Sequence, residues 1–324
     1  MNVVAEYLAA GRERLGLERF GVPRRPECVL LTPRFRRSRH IVVLVLGPGG
    51  REPVLVAKLP RLAGDGAAVA REARNLRAAR AAPAGTAPEL VAHRDEPGHP
   101  LLLQTALTGR PLGPAAVRHD RDGAVAAVTG WLERLAAATA TFPPDDGWYE
   151  RLVAAPLRTL AARGGPERDW ARATLAAAEP LREAGLPLVL AHGDLGHPNL
   201  LLTPHGRLGV LDWERAEPRG LPVGDLVFFL AYAAAAGRGD HRSRVARLRA
   251  AFAGPRGWAW QAIERHADAL GIERRLVAPL VAVSCARVAL DAGPPAALDA
   301  AARHLELWEP ALRAAPVPPT PVPA

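Results

Sequence analysis

The residues whose types and spacing could do chemistry are His192-Gly193-Asp194-Leu195-Gly196-His197-Pro198-Asn199 and, further on, Asp212. Asp194 lies five positions before Asn199, and Asn199 thirteen before Asp212. Phosphoryl transfer from ATP needs three such groups. One carboxylate orients and deprotonates the accepting hydroxyl. An amide oxygen and a second carboxylate hold magnesium, a hard cation that takes few protein oxygens and leaves its other positions to phosphate and water. One Asn and one Asp meet that demand. Taken singly, each residue fits a polar turn equally well. It is the whole pattern on a strand, loop and hairpin that points to chemistry.

The elements that must position these residues are legible around them. Leu186 to Ala191 reads as an apolar strand and His192 to Asn199 as a loop. Leu200 to Thr203 and Arg207 to Asp212 flank Pro204-His205-Gly206, a hairpin signal. That hairpin brings Asp212 back beside Asn199. Upstream, residues 1–20 read as an amphipathic helix. Residues 28–34, 40–46 and 53–59 read as three antiparallel strands, with Gly47-Pro48-Gly49-Gly50 between the second and third. A helix over 66–82 follows, then strands at Leu90 to Ala92 and Leu101 to Gln104 about the turn Glu96-Pro97-Gly98-His99. Helices are expected over 114–139, 148–163, 166–184, 222–237, 240–253, 257–270, 273–290 and 294–313. The order predicts an α+β chain of two lobes: a small antiparallel-sheet N-lobe with one main helix over 1–105, and a larger, mostly helical C-lobe over 106–313. The proline-rich stretch 314–324 is expected to be disordered.

These residues resemble the protein-kinase-like fold and, within it, the aminoglycoside phosphotransferase family of small-molecule kinases. Leu211-Asp212-Trp213-Glu214-Arg215-Ala216, continuing to Leu221-Pro222-Val223-Gly224-Asp225-Leu226, is similar to that family's segment after the catalytic loop. The resemblance implies Asp194 as catalytic base, Asn199 and Asp212 as metal ligands, and His192 as structural support of the loop. Asp225 is either a plain helix cap or an anchor of that loop. His197 has no role in the pattern and reads as a solvated loop histidine.

Only one of the 42 cationic residues is a lysine, Lys58, at the end of Val56-Ala57-Lys58. In the resembling kinases a lysine there reaches the ATP phosphates and pairs with a helix glutamate, which makes Glu72 of Arg71-Glu72-Ala73 the candidate partner. A solvent-facing Glu72 in surface ion pairs with Arg71, Arg74 and Arg77 is the alternative, worth about 0–1 kcal/mol. An ammonium is a compact charge with rotating donors, which arginine's planar fork does not reproduce. The resemblance further implies that Val56 and Leu201 sandwich the adenine and that backbone groups of Gln104 and Ala106 bind its edge. Core packing would place Val56 and Leu201 equally well. One departure is the first hairpin, Pro33-Arg34-Phe35-Arg36-Arg37-Ser38-Arg39-His40, which carries no glycine. It motivates a rival reading as a catalytically weak nucleotide-binding scaffold.

Composition removes other classes. With 49% hydrophobic and 23% charged residues the chain is globular. Cys28 and Cys285 form no disulfide framework and suit a reducing cytosol. The start of the chain does not read as a signal peptide, and the apolar run Leu226 to Ala236 falls short of the roughly 18–20 residues of a membrane span. The expectation is a cytoplasmic protein with no membrane partner. The +9 charge invites a nucleic-acid reading, yet the arginines are dispersed among acids and aromatics are only 5%. Coding bias toward arginine accounts for it, so no specific nucleic-acid partner is expected. The short Trp213 to Asp225 segment leaves little room for a peptide-docking loop, against a protein kinase. The expected partners are a nucleoside triphosphate, ATP or GTP, and a small-molecule hydroxyl acceptor. Arginines outnumber acids over 214–324, which does not advertise a pocket for polycations. Glu217, Asp291 and Glu306 are the acids that could still build one, and Trp258, Trp260 and Trp308 could line it.

Overall fold

The computed structural model describes residues 3–31, 40–62, 64–95, 100–142 and 146–291. The chain divides into two units, Met1–Pro111 with Asn199–Ala216, and Leu112–Pro198 with Glu217–Ala324. The segment 199–216 thus groups with the first unit although it follows residue 106.

The first unit contains helix α1 (Val3–Ala10) and strands β1 (Cys28–Leu31), β2 (His40–Leu46) and β3 (Pro53–Pro60). Helix α2 (Gly66–Ala78) and strands β4 (Leu90–Arg94), β5 (Leu101–Thr105) and β6 (Arg110–Pro111) follow. The sheet runs β1-β2-β3-β5-β4, all antiparallel. Alternate side chains of a strand face opposite ways. Val43, Val45, Leu55, Ala57, Leu101 and Leu103 therefore share one face and bury against Val4, Leu8, Leu17 and Val22. Registers Val42↔Lys58, Lys58↔Leu102 and Val56↔Gln104 put Lys58, Val56 and Gln104 on the opposite face. α2 packs on β3. A one-residue slip would send Lys58 into the apolar core.

The hairpin of β8 (Leu200–Leu202) and β9 (Leu208–Val210) completes this unit, with β6 paired to β8. Gly206 supplies the positive φ its turn requires. The Val210 N–H donates to the Thr86 carbonyl (2.7 Å), which explains why the hairpin belongs to this unit.

The second unit is mostly helical: α3 (Pro114–His119), α4 (Arg121–Thr139), α5 (Ala155–Ala162), α6 (Gly165–Ala177), then α7 (Gly224–Ala235), α8 (His241–Ala251), α9 (Trp258–Ala269) and α10 (Val277–Asp291). Strand β7 (Val189–Ala191) pairs with β10 (Glu217–Gly220). α7 is apolar over most of its surface and packs against α4, α8, α9 and α10. Among the described residues no helix is long and apolar enough to cross a membrane.

The helices read over 1–20 and 166–184 end early, at Ala10 and Ala177, each followed by a separate 3-10 turn, Leu17–Phe20 and Glu179–Leu181, and three further elements differ in kind. The helix read over 114–139 breaks at Asp120, whose carboxylate caps α4 by accepting the Gly123 N–H at 2.9 Å. The helix read over 148–163 opens with a π turn, Glu150–Ala154. β10, Glu217-Pro218-Arg219-Gly220, lacks the apolar alternation that would mark a strand. The 96–99 turn, the helix over 294–313 and the tail lie outside the described residues.

Candidate active site

Within the first unit the lone lysine is 7% exposed and Glu72 fully buried. Lys58 Nζ donates to Glu72 Oε1 at 2.6 Å and to Asp212 Oδ1 at 2.9 Å. The surface-glutamate alternative is thereby removed. Burial alone would lower the ammonium's pKa, but Glu72 and Asp212 outweigh it and hold it above its usual range. Burial pushes the Glu72 carboxyl up, with Lys58 pulling against it.

Asp212 takes a left-handed conformation, φ 61° and ψ 70°, the only non-glycine residue with positive φ among those described. Aspartate tolerates that region better than most residues, but the surroundings must hold it there. They do so on both sides. The Leu211 N–H donates to the Asn199 carbonyl (2.8 Å), extending the hairpin ladder one pair beyond Leu200↔Val210. Beyond Asp212 the fully buried Trp213 donates its indole N–H to the Val210 carbonyl (3.0 Å). Asn75 Nδ2 donates to the Trp213 carbonyl at 2.8 Å and Arg71 Nε to the Glu214 carbonyl at 3.0 Å. Asn75 and Arg71 are site residues that sequence reasoning missed. The signal available was Asn75 three places after Glu72, on one helix face, where a second buried polar residue needs a partner.

Asn199, 6% exposed, sits at the same end of the hairpin as Asp212. An amide and a carboxylate oxygen there are hard donors, and the neighbouring Lys58 leaves the set short of a full cage. That suits magnesium, which keeps most of its shell for water and phosphate. No cluster of three or more His, Cys, Asp or Glu side chains that could hold a metal occurs among the described residues.

Val56 and Gln104 lie in register on the Lys58 face, and Leu201 is buried on β8. The Ala106 N–H, however, donates to the Val54 carbonyl at 3.0 Å, continuing the sheet. It is not available to an adenine edge, so the expectation for Ala106 narrows to its carbonyl. The Gln104 main chain lies within the β3–β5–β4 ladder. The glycine-free hairpin, including Ser38, lies outside the described residues except for His40.

Within the second unit, the Asp225 carboxylate accepts the His192 N–H at 2.5 Å and the Gly193 N–H at 2.8 Å. Asp225 is therefore an anchor of the loop and no mere cap. The fully buried His192 accepts the Asp194 N–H on Nδ1 at 3.2 Å, and the Asp194 carbonyl accepts from the Gly196 N–H at 2.9 Å. The Asp194 main chain is thus held on both its N–H and its carbonyl. Asp225→Ala would strand two loop donors, each unmet one costing about 1–3 kcal/mol. We expect a lowered melting temperature together with lost turnover, whereas a plain cap would cost only about 1 kcal/mol. Calorimetry of the variant distinguishes the two.

His197 is half-buried and stacked on Tyr232, not solvated. Glu217 is engaged by Arg151 (2.7 Å) and Arg287 (2.6 Å), so it offers no unpaired acid to a cationic acceptor. Trp260 is buried, and Arg121 lies over the Trp258 ring at 4.7 Å. Glu306 and Trp308 lie outside the described residues.

The sequence profile of the phosphotransferase enzyme family matches residues 38–266, most of the chain. The chain belongs to the phosphotransferase enzyme family. This phosphotransferase is similar in structure to aminoglycoside 2'-phosphotransferase-IIIa in its GDP complex, with 15% identity over 94% of this chain and 98% of that one, TM-score 0.54. It is also similar to a choline/ethanolamine kinase family protein from Mesorhizobium loti (19% identity, 96% and 98% covered, TM-score 0.54). A third is choline kinase LicA from Streptococcus pneumoniae (11% identity, 94% and 98% covered, TM-score 0.53). At these identities the likeness is one of fold. Comparison with curated proteins returns no match. As a family member the phosphotransferase acts on a small molecule.

Proposed function

We propose that the enzyme transfers the γ-phosphoryl group of ATP, or of GTP, to a hydroxyl of a small molecule. The observation that carries this reading is the lone lysine. In a chain that has arginine at every other cationic position, Lys58 is buried and bonded to both Glu72 and Asp212. An ammonium has three donors. Two are used by these carboxylates, which leaves one directed by them for a nucleotide phosphate. Asn199 and Asp212 are the residues that would hold magnesium, which when bound would draw charge from the phosphate oxygens. Asp194 would accept the hydroxyl proton as the new oxygen–phosphorus bond forms and the bond to the β–γ bridging oxygen breaks, releasing the nucleoside diphosphate. Val56 and Leu201 would pack against the base, and the Gln104–Ala106 segment would border its edge.

The acceptor is a narrower question. The structures similar in fold carry names that span aminoglycosides and choline or ethanolamine. A panel of aminoglycosides, amino alcohols and sugars, assayed for ADP and GDP release with magnesium, tests the reading. We expect acceptor-dependent release with one class. Tight ATP binding with no release across the panel would sink it and favour a nucleotide-binding scaffold.

A further inference from the structure

Helix α7 meets the catalytic loop at three places, and the anchor Asp225 is only the first of them. Gly196 lies flush on Phe228: a Cβ at Gly196 would come within 2.9 Å of the ring. The His197 imidazole stacks on Tyr232, with centroids 6.3 Å apart and planes 20° from parallel. Asp225, Phe228 and Tyr232 are spaced i, i+3, i+7, one stripe of a helix. The stripe therefore follows the loop residue by residue, from His192 and Gly193 through Gly196 to His197.

Tyr232 is itself held on two sides. Its ring packs on that of the fully buried Phe229 (6.2 Å between centroids), and its hydroxyl donates to the Leu112 carbonyl at 3.1 Å. Burial pushes that hydroxyl up to about 12 against the pull of Arg118, so it remains a donor throughout the neutral range. The Cε1–Nδ1 edge of the imidazole lies against Gly113, where a Cβ would sit 3.6 Å from Cε1 and 3.7 Å from Nδ1. The His197 Nδ1 is buried without a hydrogen-bond partner. A ring stacked on Tyr232 and packed by its edge against Gly113, while that nitrogen goes unmatched, is used for its shape.

We infer that His197 and Tyr232 are positioning residues for Asp194: the stacked pair fixes the C-terminal half of the loop on α7, as Asp225 fixes the N-terminal half. Asp194 then sits on a segment restrained at both ends. Such restraint matters because displacing a reacting group by about 1 Å can cost on the order of 10²-fold in rate. The inference rests on the proposed role of Asp194 for its kinetic consequence, but its structural half stands apart from that role.

The test uses His197→Ala, Tyr232→Leu and His197→Phe in the full chain, with amide hydrogen exchange and steady-state kinetics in ATP. His197→Ala and Tyr232→Leu should speed exchange over residues 192–199 about tenfold while α4 and α10 keep their protection. Turnover with an acceptor found in the panel should fall about tenfold or more in kcat, with KM for ATP unchanged. His197→Phe keeps a flat ring and removes the unmatched nitrogen, and it should restore both readouts. Should Tyr232→Leu fail to fold, His197→Ala, altered at a loop position, decides alone. Unchanged loop exchange in His197→Ala overturns the inference, as does faster exchange with wild-type kcat, or failure of His197→Phe to rescue. Absence of turnover with every acceptor would count against the proposed function, and the exchange measurements would still judge the stack.

Discussion

Asp194→Ala should lower turnover by about 10²–10⁴-fold, the range for loss of a general base, with nucleotide affinity little changed. The expectation is sharp because the loop has main-chain restraints of its own. Its main chain is held through the Asp194 N–H on His192, the Asp194 carbonyl on the Gly196 N–H, and the Asp225 carboxylate on His192 and Gly193. Removing the carboxylate leaves these main-chain bonds in place, and a melting temperature equal to that of the unaltered enzyme would show that the loss of rate reports chemistry and not a collapsed loop. Asp194→Asn is the companion: it keeps size and polarity but cannot take the proton, and should lose nearly as much. The measurement is steady-state turnover with the acceptor identified in the panel, alongside calorimetric ATP binding. Wild-type turnover in Asp194→Ala would remove Asp194 as the base.

The sequence shows most clearly what is local. The strands of the first unit announce themselves by apolar runs between Gly- and Pro-rich turns, and the loop from His192 to Asn199 by its polar residues between two apolar strands. Lys58 could be singled out because every other Lys or Arg position of the chain is arginine. What stays hidden depends on partners distant in the chain. Asn75 on Trp213 is one case, since nothing near Asn75 says which carbonyl it meets. The Asp225–Phe228–Tyr232 stripe is another, because α7 is apolar nearly all round and its composition does not mark one face for the loop. Ala106 shows a third kind of limit: whether a strand's last N–H is spent on the sheet depends on where its neighbour ends. The break at Asp120 was within reach. An aspartate ahead of Arg121-Asp122-Gly123 is an N-cap signal, outweighed by the helical period on both sides.

Lys58→Arg conserves charge and should nonetheless reduce turnover by about 10²–10³-fold, the scale of losing one preorganised electrostatic donor. Lys58 occupies a nearly closed site between two carboxylates, with Nζ 2.6 Å from Glu72 and 2.9 Å from Asp212. A guanidinium is larger and planar, so satisfying both carboxylates with its fork turns its remaining donors in directions fixed by that plane. It must also displace either Glu72, which has no exposed surface to retreat to, or Asp212, whose backbone is already held in the left-handed region. The uniqueness of Lys58 supplies a second readout that needs no acceptor. An amine-acylating reagent can modify only Lys58 and the N-terminal amine of this chain. With its pKa held above the usual range, Lys58 is an ammonium at pH 8–9 and should react far more slowly than the terminus. In Glu72→Gln one of the two opposing charges is gone and only Asp212 is left to counter burial, which disfavours the ammonium. The pKa falls and more free amine is present at a given pH. Acylation then quickens about tenfold for each pH unit by which the pKa drops. Saturating ATP should slow it again in both proteins. Rapid, nucleotide-insensitive acylation of Lys58 in the unaltered enzyme, together with normal turnover in Lys58→Arg, would mean that the lone lysine survived by chance.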